Sequence, residues 1–397
     1  MTTARKSVSR PPPGGVSGQS FHLVSLSAVT WEFGLVGRTR MLTEAWVRQS
    51  HPTTFVQVPS HRTALQRLAA VFKPMDEAPV VRPWPIRPCR WWNPANETRL
   101  RRAARRRAVG LRRQLEKRLD FSEATAVVIS PVWMPWLEEL PFIRVVYDCI
   151  DDVAVHVPRA NLLGLYQKWE DELVQRAAGA VVTAEPLADT LRQRRADLPI
   201  ATIRNGVDVV RFEAGARSSP RPSDVPAAGR PIVGFVGALY EWIDWDLIAQ
   251  VLRALPEYDF VFVGPHDGRG PVSALSRIDN AVFLGARSYD RVPAYVQAFD
   301  VCWVPFDQSR VSRAANPVKI YEYLSLGKPV VSTPVADTES FEGLIRVGRG
   351  SDEIVAQLRA ALAEGGDQAA QRVRFARANS WDVRARDYVS FIASLAG

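Results

Sequence analysis

The sequence contains few cysteines, no long apolar run and no segment of the secretory type. Its three cysteines, Cys89, Cys149 and Cys302, lie far apart and have neither metal-ligand spacing nor the pattern of a disulfide framework. No run approaches the roughly 18 apolar residues of a membrane-spanning helix. Residues 1–20 are rich in Pro, Gly and Ser and lack an apolar segment, so we expect a disordered tail and not a signal peptide. These absences favour a reducing, cytoplasmic location.

Composition favours a globular protein with two domains and an anionic partner. The chain has 397 residues, of which 47% are hydrophobic and 23% are charged, and domains of about 150–200 residues would divide it in two. The formal charge of +9 is compatible with nucleic acid, an anionic membrane or a phosphate-bearing substrate. The sequence has no zinc spacing, RNP-like strand or basic zipper, so we expect no nucleic-acid partner.

Short runs rich in Val, Ile and Phe alternate with longer amphipathic segments, which predicts an α/β fold of parallel sheets covered by helices. Residues 214–229 are dense in Pro, Ser, Gly and Ala and predict a linker. We therefore expect two Rossmann-like, doubly wound domains at 21–213 and 230–380, a terminal helix at 381–397, and a ligand cleft between the domains. The predicted strands include 21–26, 54–58, 126–130, 143–147, 180–183 and 200–203, followed by 232–236, 260–263, 282–284, 301–305 and 329–332.

The most informative segment runs from Asn316 to Val331 and predicts a helix followed at once by a buried strand. Asn316 suits the N-cap, Pro317 the first helical position and Gly327 the position just past the end. Lys319 falls in the first turn, where a cation is unfavourable unless a phosphate compensates it. Glu322 lies one turn further on and could accept hydrogen bonds from both hydroxyls of a ribose. The alternative is that Lys319 and Glu322 form an exposed ion pair.

The segment reads NPxKxYEYLxxGKPVV and follows a strand that ends in Val304, Pro305 and Phe306. In this order it resembles the donor-binding helix of GT-B glycosyltransferases, and it is most similar to the family 4-like bacterial enzymes of capsule, teichuronic acid and exopolysaccharide synthesis. Further short segments that resemble the same family lie at 205–208, 234–237, 262–265 and 283–285. It spans the chain from Trp31 to the C-terminus, with a weaker likeness to xanthan-type glucuronosyltransferases.

The resemblance implies a nucleotide-sugar donor, which we expect to be a UDP-sugar, and a lipid-linked or polysaccharide acceptor in cell-surface glycan synthesis. It implies that the terminal helix packs back on the first domain and that Glu322 contacts the donor ribose. No cofactor and no metal are expected. The expected donor-binding residues are Gly237, Gly264, Arg287, Phe306, Asn316, Pro317, Val318, Lys319 and Glu322. We expect Trp31 and Arg38, in the loop after the first strand, to border the acceptor, although a core position would suit Trp31 equally well.

The chain departs from the family pattern in two places. The first Glu of the family's E-x7-E pattern would fall at Ala314, and residues 238–242 lack the Arg/Lys pair that many members carry. The diphosphate charge would then rest mainly on Lys319 and the helix N-terminus, with Arg310 or Arg313 as further candidates. These departures leave open whether the transfer inverts or retains the configuration at the anomeric carbon. They also keep two alternatives open: a GT-B-type sugar-nucleotide epimerase and a catalytically degenerate binding subunit.

A cluster of three carboxylates, Asp148, Asp151 and Asp152, follows a predicted buried strand. Loops at the carboxyl ends of strands carry the chemistry of open α/β sheets, so we expect the three to face the cleft. An inverting transferase needs one carboxylate to take a proton from the acceptor hydroxyl, and Asp151 is the first candidate. In the structural alternative, Asp148 ends the strand and Asp151 or Asp152 caps a helix. A metal-binding role is typical of transferases with a single sugar-nucleotide domain and is not expected here.

The stretch from Arg99 to Arg118 holds ten basic residues and one acid, Glu116, and follows Trp84, Trp91 and Trp92. A cationic amphipathic helix beside tryptophans is typical of a membrane-surface element, in which each Lys or Arg contributes about 1 kcal/mol. The alternative is a solvated helix face. Because the acceptors of the family are often lipid-linked, we expect a cytoplasmic enzyme that is peripheral on the inner face of the plasma membrane.

Overall fold

The structure is a computed structural model that describes residues 21–27, 37–57, 80–81, 97–157, 160–227, 229–364 and 366–395. Several residues that the sequence singles out lie outside these ranges, namely the tail 1–20, Trp31, Trp84, Cys89, Trp91 and Trp92. Cys149 and Cys302 are buried free thiols. Within the described ranges, no helix has both the length and the apolar character needed to cross a membrane.

The first domain is built on a seven-stranded parallel sheet. Its strands are β1 (His22–Ser27), β2 (Thr53–Gln57), β3 (Val80–Val81), β4 (Ala124–Val128), β5 (Arg144–Cys149), β6 (Gly179–Val182) and β7 (Ile200–Thr202). Across the sheet they stand in the order β3-β2-β1-β4-β5-β6-β7. The chain therefore builds outward from β1 in one direction and from β4 in the other, which makes the sheet doubly wound.

Helices cover both faces of the first sheet. They are α1 (Arg38–Arg48), α2 (Glu97–Leu115), α3 (Met134–Leu137), α4 (Leu163–Arg176) and α5 (Glu185–Arg194). Alternate residues of a strand point to opposite faces. Val24 and Leu26 accordingly join the core formed with α2 to α5, whereas Leu23 joins the core formed with α1. Burial on both faces explains why the strands are continuous apolar runs.

The second domain has a six-stranded parallel sheet in the order β10-β9-β8-β11-β12-β13. Its strands are β8 (Ile232–Val236), β9 (Asp259–Val263), β10 (Ala281–Gly285), β11 (Val301–Val304), β12 (Val330–Ser332) and β13 (Arg346–Val347). Its helices are α6 (Val209–Ser218), α7 (Trp245–Ala254), α8 (Gly270–Leu275), α9 (Val292–Ala298), α10 (Arg310–Ala314), α11 (Val318–Ser325), α12 (Gly350–Leu362) and α13 (Asp367–Ala378). The winding direction reverses between β8 and β11, so this sheet is also doubly wound.

Every predicted strand is present, and its ends differ from the prediction by at most two residues. The strands that the sequence did not predict are β3 and β13. Each has only two residues and lies at the edge of its sheet, so neither has the length from which a strand pattern can be recognised. The prediction of an α/β fold with two doubly wound sheets is confirmed.

The connection between the domains differs from the predicted linker at 214–229. Helix α6 continues to Ser218, and Phe212 and Val225 are both buried in the core of the second domain. Val207 is fully buried in the same core, so the chain leaves the first domain soon after β7. The physical reason is the apolar pair Val209 and Phe212, which lies three residues apart on one helix face and has to be covered.

The last helix, α14 (Trp381–Ser394), lies against α1 of the first domain. Trp381 and Tyr388 are buried in the core that α1 shares with β1. The rings of Trp46 and Tyr388 meet edge to face with 5.3 Å between their centroids, and Arg48 pairs with Asp382 at 2.8 Å. The chain therefore returns to the first domain after it has completed the second.

The two reversal points determine where a ligand can bind. In open α/β sheets the loops after the strands diverge at the reversal point and leave a crevice at the carboxyl ends. Gly237 follows β8 and Gly264 follows β9, and their backbones touch, because a Cβ atom on Gly264 would lie 1.8 Å from the carbonyl oxygen of Gly237. Gly264 also has a φ of +157°. The crevice of the second domain thus depends on glycine at this position.

We expect Gly264→Ala to destabilise the second domain by about 3 kcal/mol, because backbone atoms have to move to admit the methyl group. For a domain of this size, that loss lowers the Tm by roughly 6–12 °C. Gly110→Ala is the matched control. Gly110 lies inside α2, and a Cβ atom placed on it would have no heavy atom within 4 Å, so alanine should leave the Tm unchanged or raise it slightly. Equal Tm values for both variants, measured by calorimetry, would contradict the steric argument.

Candidate active site

A cavity of about 410 Å³ opens between the carboxyl ends of the two sheets. The second domain lines it with the loops after β8, β9, β10 and β11 and with the start of α11, and the first domain contributes the start of α1 and the loops after β5 and β7. Eleven residues expected at the site line this cavity, namely Arg38, Asp151, Gly237, Gly264, Arg287, Phe306, Asn316, Pro317, Val318, Lys319 and Glu322. Asp148 and Asp152 do not line it, and Trp31 lies outside the described residues.

Helix α11 is fixed at its C-terminal end by local backbone bonds. Gly327, at φ +70°, donates to the carbonyl of Leu324 at 3.0 Å, and Lys328 donates to the carbonyl of Tyr323 at 3.2 Å. These two bonds form a Schellman motif, in which glycine adopts the left-handed conformation at low cost. The predicted helix stop at Gly327 is therefore confirmed.

The same helix is bound to the strand beside the cleft. The Tyr323 hydroxyl accepts from the N–H of Val236 at 2.8 Å and donates to the carbonyl of Val236 at 3.3 Å. Val236 is the last residue of β8 and precedes Gly237. The N-terminal turn of α11 is thereby held next to the loop that follows β8.

The predicted helix start was one residue too early. Pro317 occupies the N-cap and helical structure begins at Val318, whereas Asn316 lies before the cap. Asn316 uses its side chain to reach the first domain. The side-chain Oδ1 of Asn316 accepts from the backbone N–H of Asn205 at 3.0 Å. The backbone carbonyl oxygen of Asn316 accepts from the side-chain Nδ2 of Asn205 at 2.6 Å. A local capping rule does not detect this long-range partner.

Lys319 projects into the cleft between two aromatic rings. Its Nζ atom lies 5.6 Å from the ring centroid of Phe235 and 5.3 Å from that of Phe306, at cation–π distances. A Cβ atom on Gly237 would lie 2.5 Å from Cε of Lys319, so glycine leaves the space that the lysine occupies. Burial lowers the pKa of Lys319, and the carboxylates of Glu322 and Asp151 oppose that shift.

The other cations that line the cleft are already neutralised. Arg38 binds Asp148 through Nε at 3.0 Å, and Arg287 binds Asp224 through Nη2 at 2.7 Å. No ion pair or hydrogen bond joins Lys319 to another described residue. Because a partly buried charge without an ion-pair partner is costly, this lysine is the cleft cation best able to gain from a bound anion.

Glu322 lies one turn beyond Lys319 and is only 7% exposed. Its Oε1 accepts a hydrogen bond from the hydroxyl of Tyr289 at 2.8 Å. Burial raises the pKa of Glu322, and both the Tyr289 hydrogen bond and the charge of Lys319 oppose the rise. The alternative of an exposed ion pair between Lys319 and Glu322 is therefore wrong.

Asp151 is the one carboxylate of the predicted cluster that lines the cavity. It follows β5 in the loop that faces α11. Burial and, to a smaller extent, the charge of Asp152 raise the pKa of Asp151 to about 7, against the opposing charge of Lys319. A carboxyl group with this pKa changes its protonation state near neutral pH, as a general base requires.

The expectation that all three aspartates face the cleft is wrong for Asp148 and Asp152. Asp148 is fully buried and accepts from Nε of Arg38 at 3.0 and 3.1 Å. Asp152 accepts from the N–H of Ala154 at 2.9 Å and caps the 3₁₀ turn Val153–His156, as the structural alternative predicted. It also pairs with Arg310 of the second domain. Both carboxylates thus have structural partners.

These pairings also change the expectations for the arginines. The guanidinium of Arg38 borders the cleft, but its charge is matched by Asp148. Its Nη2 atom has no hydrogen-bond partner among the described residues, and the same is true of Nδ2 of Asn316. Such buried donors normally require water or a ligand. Arg310 and Arg313, considered as diphosphate ligands, do not line the cavity.

The sequence analysis missed several residues of the cleft. Tyr289 follows β10, Trp242 follows β8, and Val155 follows β5, and all three line the cavity. Their position after predicted strands is a usable signal, because loops at the carboxyl ends meet at the crevice. Tyr323 carried no such signal, since it lies in the predicted helix and acts through its hydroxyl. Within the described part of the chain, no group of His, Cys, Asp and Glu residues has the arrangement of a metal site.

The second domain matches the model of a known protein family. Residues 230–365 match the family model described as Glycosyl transferases group 1. Over 264 residues the chain is 26% identical to a Bacillus subtilis (strain 168) protein provisionally named teichuronic acid biosynthesis glycosyltransferase TuaH. That alignment covers 62% of this chain and 66% of the relative, so the chain matches just under two thirds of the relative's length.

Solved structures resemble the chain over almost its whole length. Sucrose-phosphate synthase from Thermosynechococcus elongatus superposes with a TM-score of 0.69 at 15% identity, covering 94% of this chain and 99% of the synthase. HepE from Anabaena, in complex with UDP and glucose, gives a TM-score of 0.66 at 16% identity and covers 94% of this chain and 99% of HepE. At sequence identities of 15% and 16%, the similarity to these structures shows a shared fold.

The pKa of Asp151 leads to a prediction about stability. Its pKa is about 7 in the folded chain against an ordinary value of 3.8, so between these values the folded state binds more protons than the unfolded one. The free energy of unfolding therefore falls as the pH rises from about 4 to about 7. Asp151→Asn removes this loss, and its Tm should exceed that of wild type by more at pH 8 than at pH 5.

Asp189→Asn serves as the control for this measurement, because Asp189 is an exposed aspartate on α5 whose side chain is 68% exposed. Its Tm should follow that of wild type at both pH values. A Tm difference between Asp151→Asn and wild type that stays constant from pH 5 to pH 8 would contradict the assigned protonation behaviour.

Proposed function

We propose that this chain, which has the GT-B fold and carries a glycosyl transferases group 1 domain, is a glycosyltransferase that moves a sugar from a UDP-sugar to a glycan or lipid-linked acceptor. The single observation that carries the proposal is Lys319, an unpaired lysine at the N-terminal turn of α11 inside the cleft. A helix N-terminus and a cation together favour a diphosphate. The proposal places the enzyme in cell-surface glycan synthesis, on the cytoplasmic side of the membrane.

UDP is supported as the nucleotide by one structural neighbour, because HepE was solved with UDP and glucose. The name of the Bacillus protein refers to teichuronic acid biosynthesis, which supports the proposed role in cell-surface glycan synthesis. In the present chain the second domain would hold the nucleotide, with its phosphates beside Lys319 and the loops that contain Gly237 and Gly264. Glu322 would accept a hydrogen bond from the ribose.

The proposed reaction is a displacement at the anomeric carbon of the donor sugar. Asp151 takes the proton of the acceptor hydroxyl while its oxygen forms the new glycosidic bond. The bond from the anomeric carbon to the diphosphate breaks, and Lys319 and the N-terminus of α11 stabilise the negative charge that develops on the leaving UDP. Asp151→Asn should then bind UDP normally and transfer no sugar. Transfer that survives this change would exclude Asp151 as the base.

The donor site is tested by calorimetric titration of the purified protein with UDP, GDP, ADP and dTDP. We expect one nucleotide to bind selectively, and Lys319→Met to weaken its binding by about 10- to 100-fold, the effect of losing a hydrogen bond to a charged group. Methionine retains the length and apolar contacts of the lysine between Phe235 and Phe306, so the fold should be preserved.

Lys168→Met is the control, because Lys168 is an exposed lysine of α4 that pairs with Glu97 at 2.7 Å, and its affinity should equal that of wild type. If wild type binds none of the four nucleotides, the transferase proposal fails and the degenerate binding subunit becomes the better explanation. Unchanged affinity in Lys319→Met would remove that residue from the donor site.

Helix α2 supports the proposed membrane contact. Its buried side consists of Ala104, Ala108, Leu111 and Leu115. A basic stripe occupies the opposite side. Its arginines follow one another at spacings of three, four and seven residues, which place them on one face of the helix. The stripe comprises Arg99, Arg102, Arg106 and Arg113, all exposed and without an ion-pair partner among the described residues.

Three other arginines of the same helix are neutralised. Arg101 binds Glu97, Glu138 and Glu172, Arg105 binds Glu138, and Arg112 binds Glu116. The attraction to an anionic surface would therefore come from the basic stripe and not from all ten basic residues of the stretch. Unpaired arginines aligned on one helix face can approach lipid head groups together.

We expect the triple variant Arg102→Ser, Arg106→Ser and Arg113→Ser to lose about 100-fold in affinity for phosphatidylglycerol vesicles, at about 1 kcal/mol for each charge. Flotation of the full chain with these vesicles measures the change. The control triple Arg253→Ser, Arg269→Ser and Arg277→Ser removes the same charge from exposed positions of the second domain. Equal flotation of both triples would contradict the membrane contact through α2.

A further inference from the structure

The hydroxyl of Tyr289 determines how Glu322 faces the cleft. Tyr289 begins the 3₁₀ turn Tyr289–Arg291 after β10, and its hydroxyl donates to Oε1 of Glu322 at 2.8 Å. Both side chains line the cavity. One oxygen of the carboxylate is thus engaged by the protein, which restricts rotation of the group and leaves Oε2 as the oxygen without a protein donor among the described residues.

Two residues of α6 pack against the ring of Tyr289. The ring of Phe212 meets it edge to face with 5.9 Å between centroids, and the guanidinium carbon of Arg211 lies 5.7 Å from its ring centroid. Arg211 also reaches Glu44 of α1 at 3.7 Å. Two contacts on the ring and one fixed turn leave the tyrosine little freedom to rotate away from Glu322.

Tyr289 is the donor in the hydrogen bond between these residues. Burial raises the pKa of Tyr289 well above its ordinary value, and the neighbouring charge of Glu322 raises it further. The phenol therefore keeps its proton and remains a donor. A carboxylate has only acceptor positions when it is ionised, and in that form Glu322 presents an oriented acceptor to the cleft.

A ribose presents hydroxyl donors to such an acceptor, whereas a deoxyribose presents fewer. Carboxylates recognise ribose hydroxyls in other doubly wound nucleotide-binding folds. We propose that Tyr289 is a positioning residue for ribose: by engaging one oxygen of Glu322 it orients the other, and so makes the site prefer ribonucleoside over deoxyribonucleoside diphosphates. This inference rests on the proposed function, because it requires a nucleoside diphosphate beside Lys319.

The test compares the binding of UDP, 2′-deoxy-UDP and 3′-deoxy-UDP by calorimetry. Wild type should prefer UDP to at least one deoxy analogue by about tenfold, the effect of one hydrogen bond to a charged group. Tyr289→Phe retains the ring and its contacts with α6, so the fold should persist. We expect this variant to lose most of the preference, through weaker binding of UDP and nearly unchanged binding of the deoxy analogue. Glu322→Gln should also reduce the preference.

Tyr295→Phe is the matched control. The hydroxyl of Tyr295 accepts from Nε of Arg287 at 2.9 Å and donates to Asp224 at 2.9 Å. Arg287 also lines the cleft, so this change removes a tyrosine hydroxyl of the same domain without touching Glu322. It should alter the affinity for UDP and for the deoxy analogues by the same factor and keep the preference of wild type.

The possible outcomes separate this inference from the proposed function. If UDP binds to wild type and Tyr289→Phe keeps the full preference, the positioning role is excluded while the donor site stands. A uniform loss of affinity for all three ligands in Tyr289→Phe would likewise exclude it, since that result indicates a purely structural role. If wild type binds no nucleotide, the proposed function fails and the inference fails with it.

Discussion

The placement of α11 is the constraint on which the rest of the cleft depends. The Tyr323 hydroxyl bonds both backbone groups of Val236 at the end of β8, and the Schellman motif at Gly327 fixes the opposite end of the helix. Every expected donor residue on the helix, Lys319 and Glu322 included, takes its position from these bonds. A shift of one residue along the helix would rotate each side chain by about 100° and turn Lys319 away from the cleft.

The charges of the cleft follow one pattern, in which most cations are paired inside the protein. Arg38 is matched by Asp148 and Arg287 by Asp224, which leaves their hydrogen-bonding faces in place but removes their net charge. Lys319 remains without such a partner and is flanked by two phenyl rings. A cation without an ion-pair partner and the N-terminus of a helix together favour an anionic ligand at this end of the cleft. The missing Arg/Lys pair at residues 238–242 makes this lysine more important, since no described cation of that loop could share its role.

The sequence predicted the features that depend on neighbouring residues and missed the contacts between residues far apart in the chain. The strands, the stop at Gly327 and the proximity of Lys319 to the cleft follow from short patterns, because each depends on residues within one element. Asp148 was misjudged because its partner Arg38 lies 110 residues away, and a strand-end aspartate looks the same whether it is buried or exposed. The helix start at Asn316 was misplaced for a similar reason, since its side chain is used by Asn205. Tyr289 matches no motif, and the signal that could have found it is its position after a predicted strand.

The bonds between Asn205 and Asn316 connect the two domains at the point where the chemistry is proposed. Asn205 also accepts from Nη1 of Arg38 at 3.3 Å through its side chain, while its carbonyl accepts from Arg384 of α14. A continuous series of polar contacts therefore runs from Asp148 in the first domain through Arg38 and Asn205 to Asn316, which lies just before the N-cap of α11. If Asn205 moves with the first domain, rotating one domain against the other breaks the Asn205–Asn316 bonds, and each buried amide then needs a new partner. In that case the same pair of asparagines couples the distance between Asp151, the proposed base, and Lys319, the proposed phosphate ligand, to the closure of the domains.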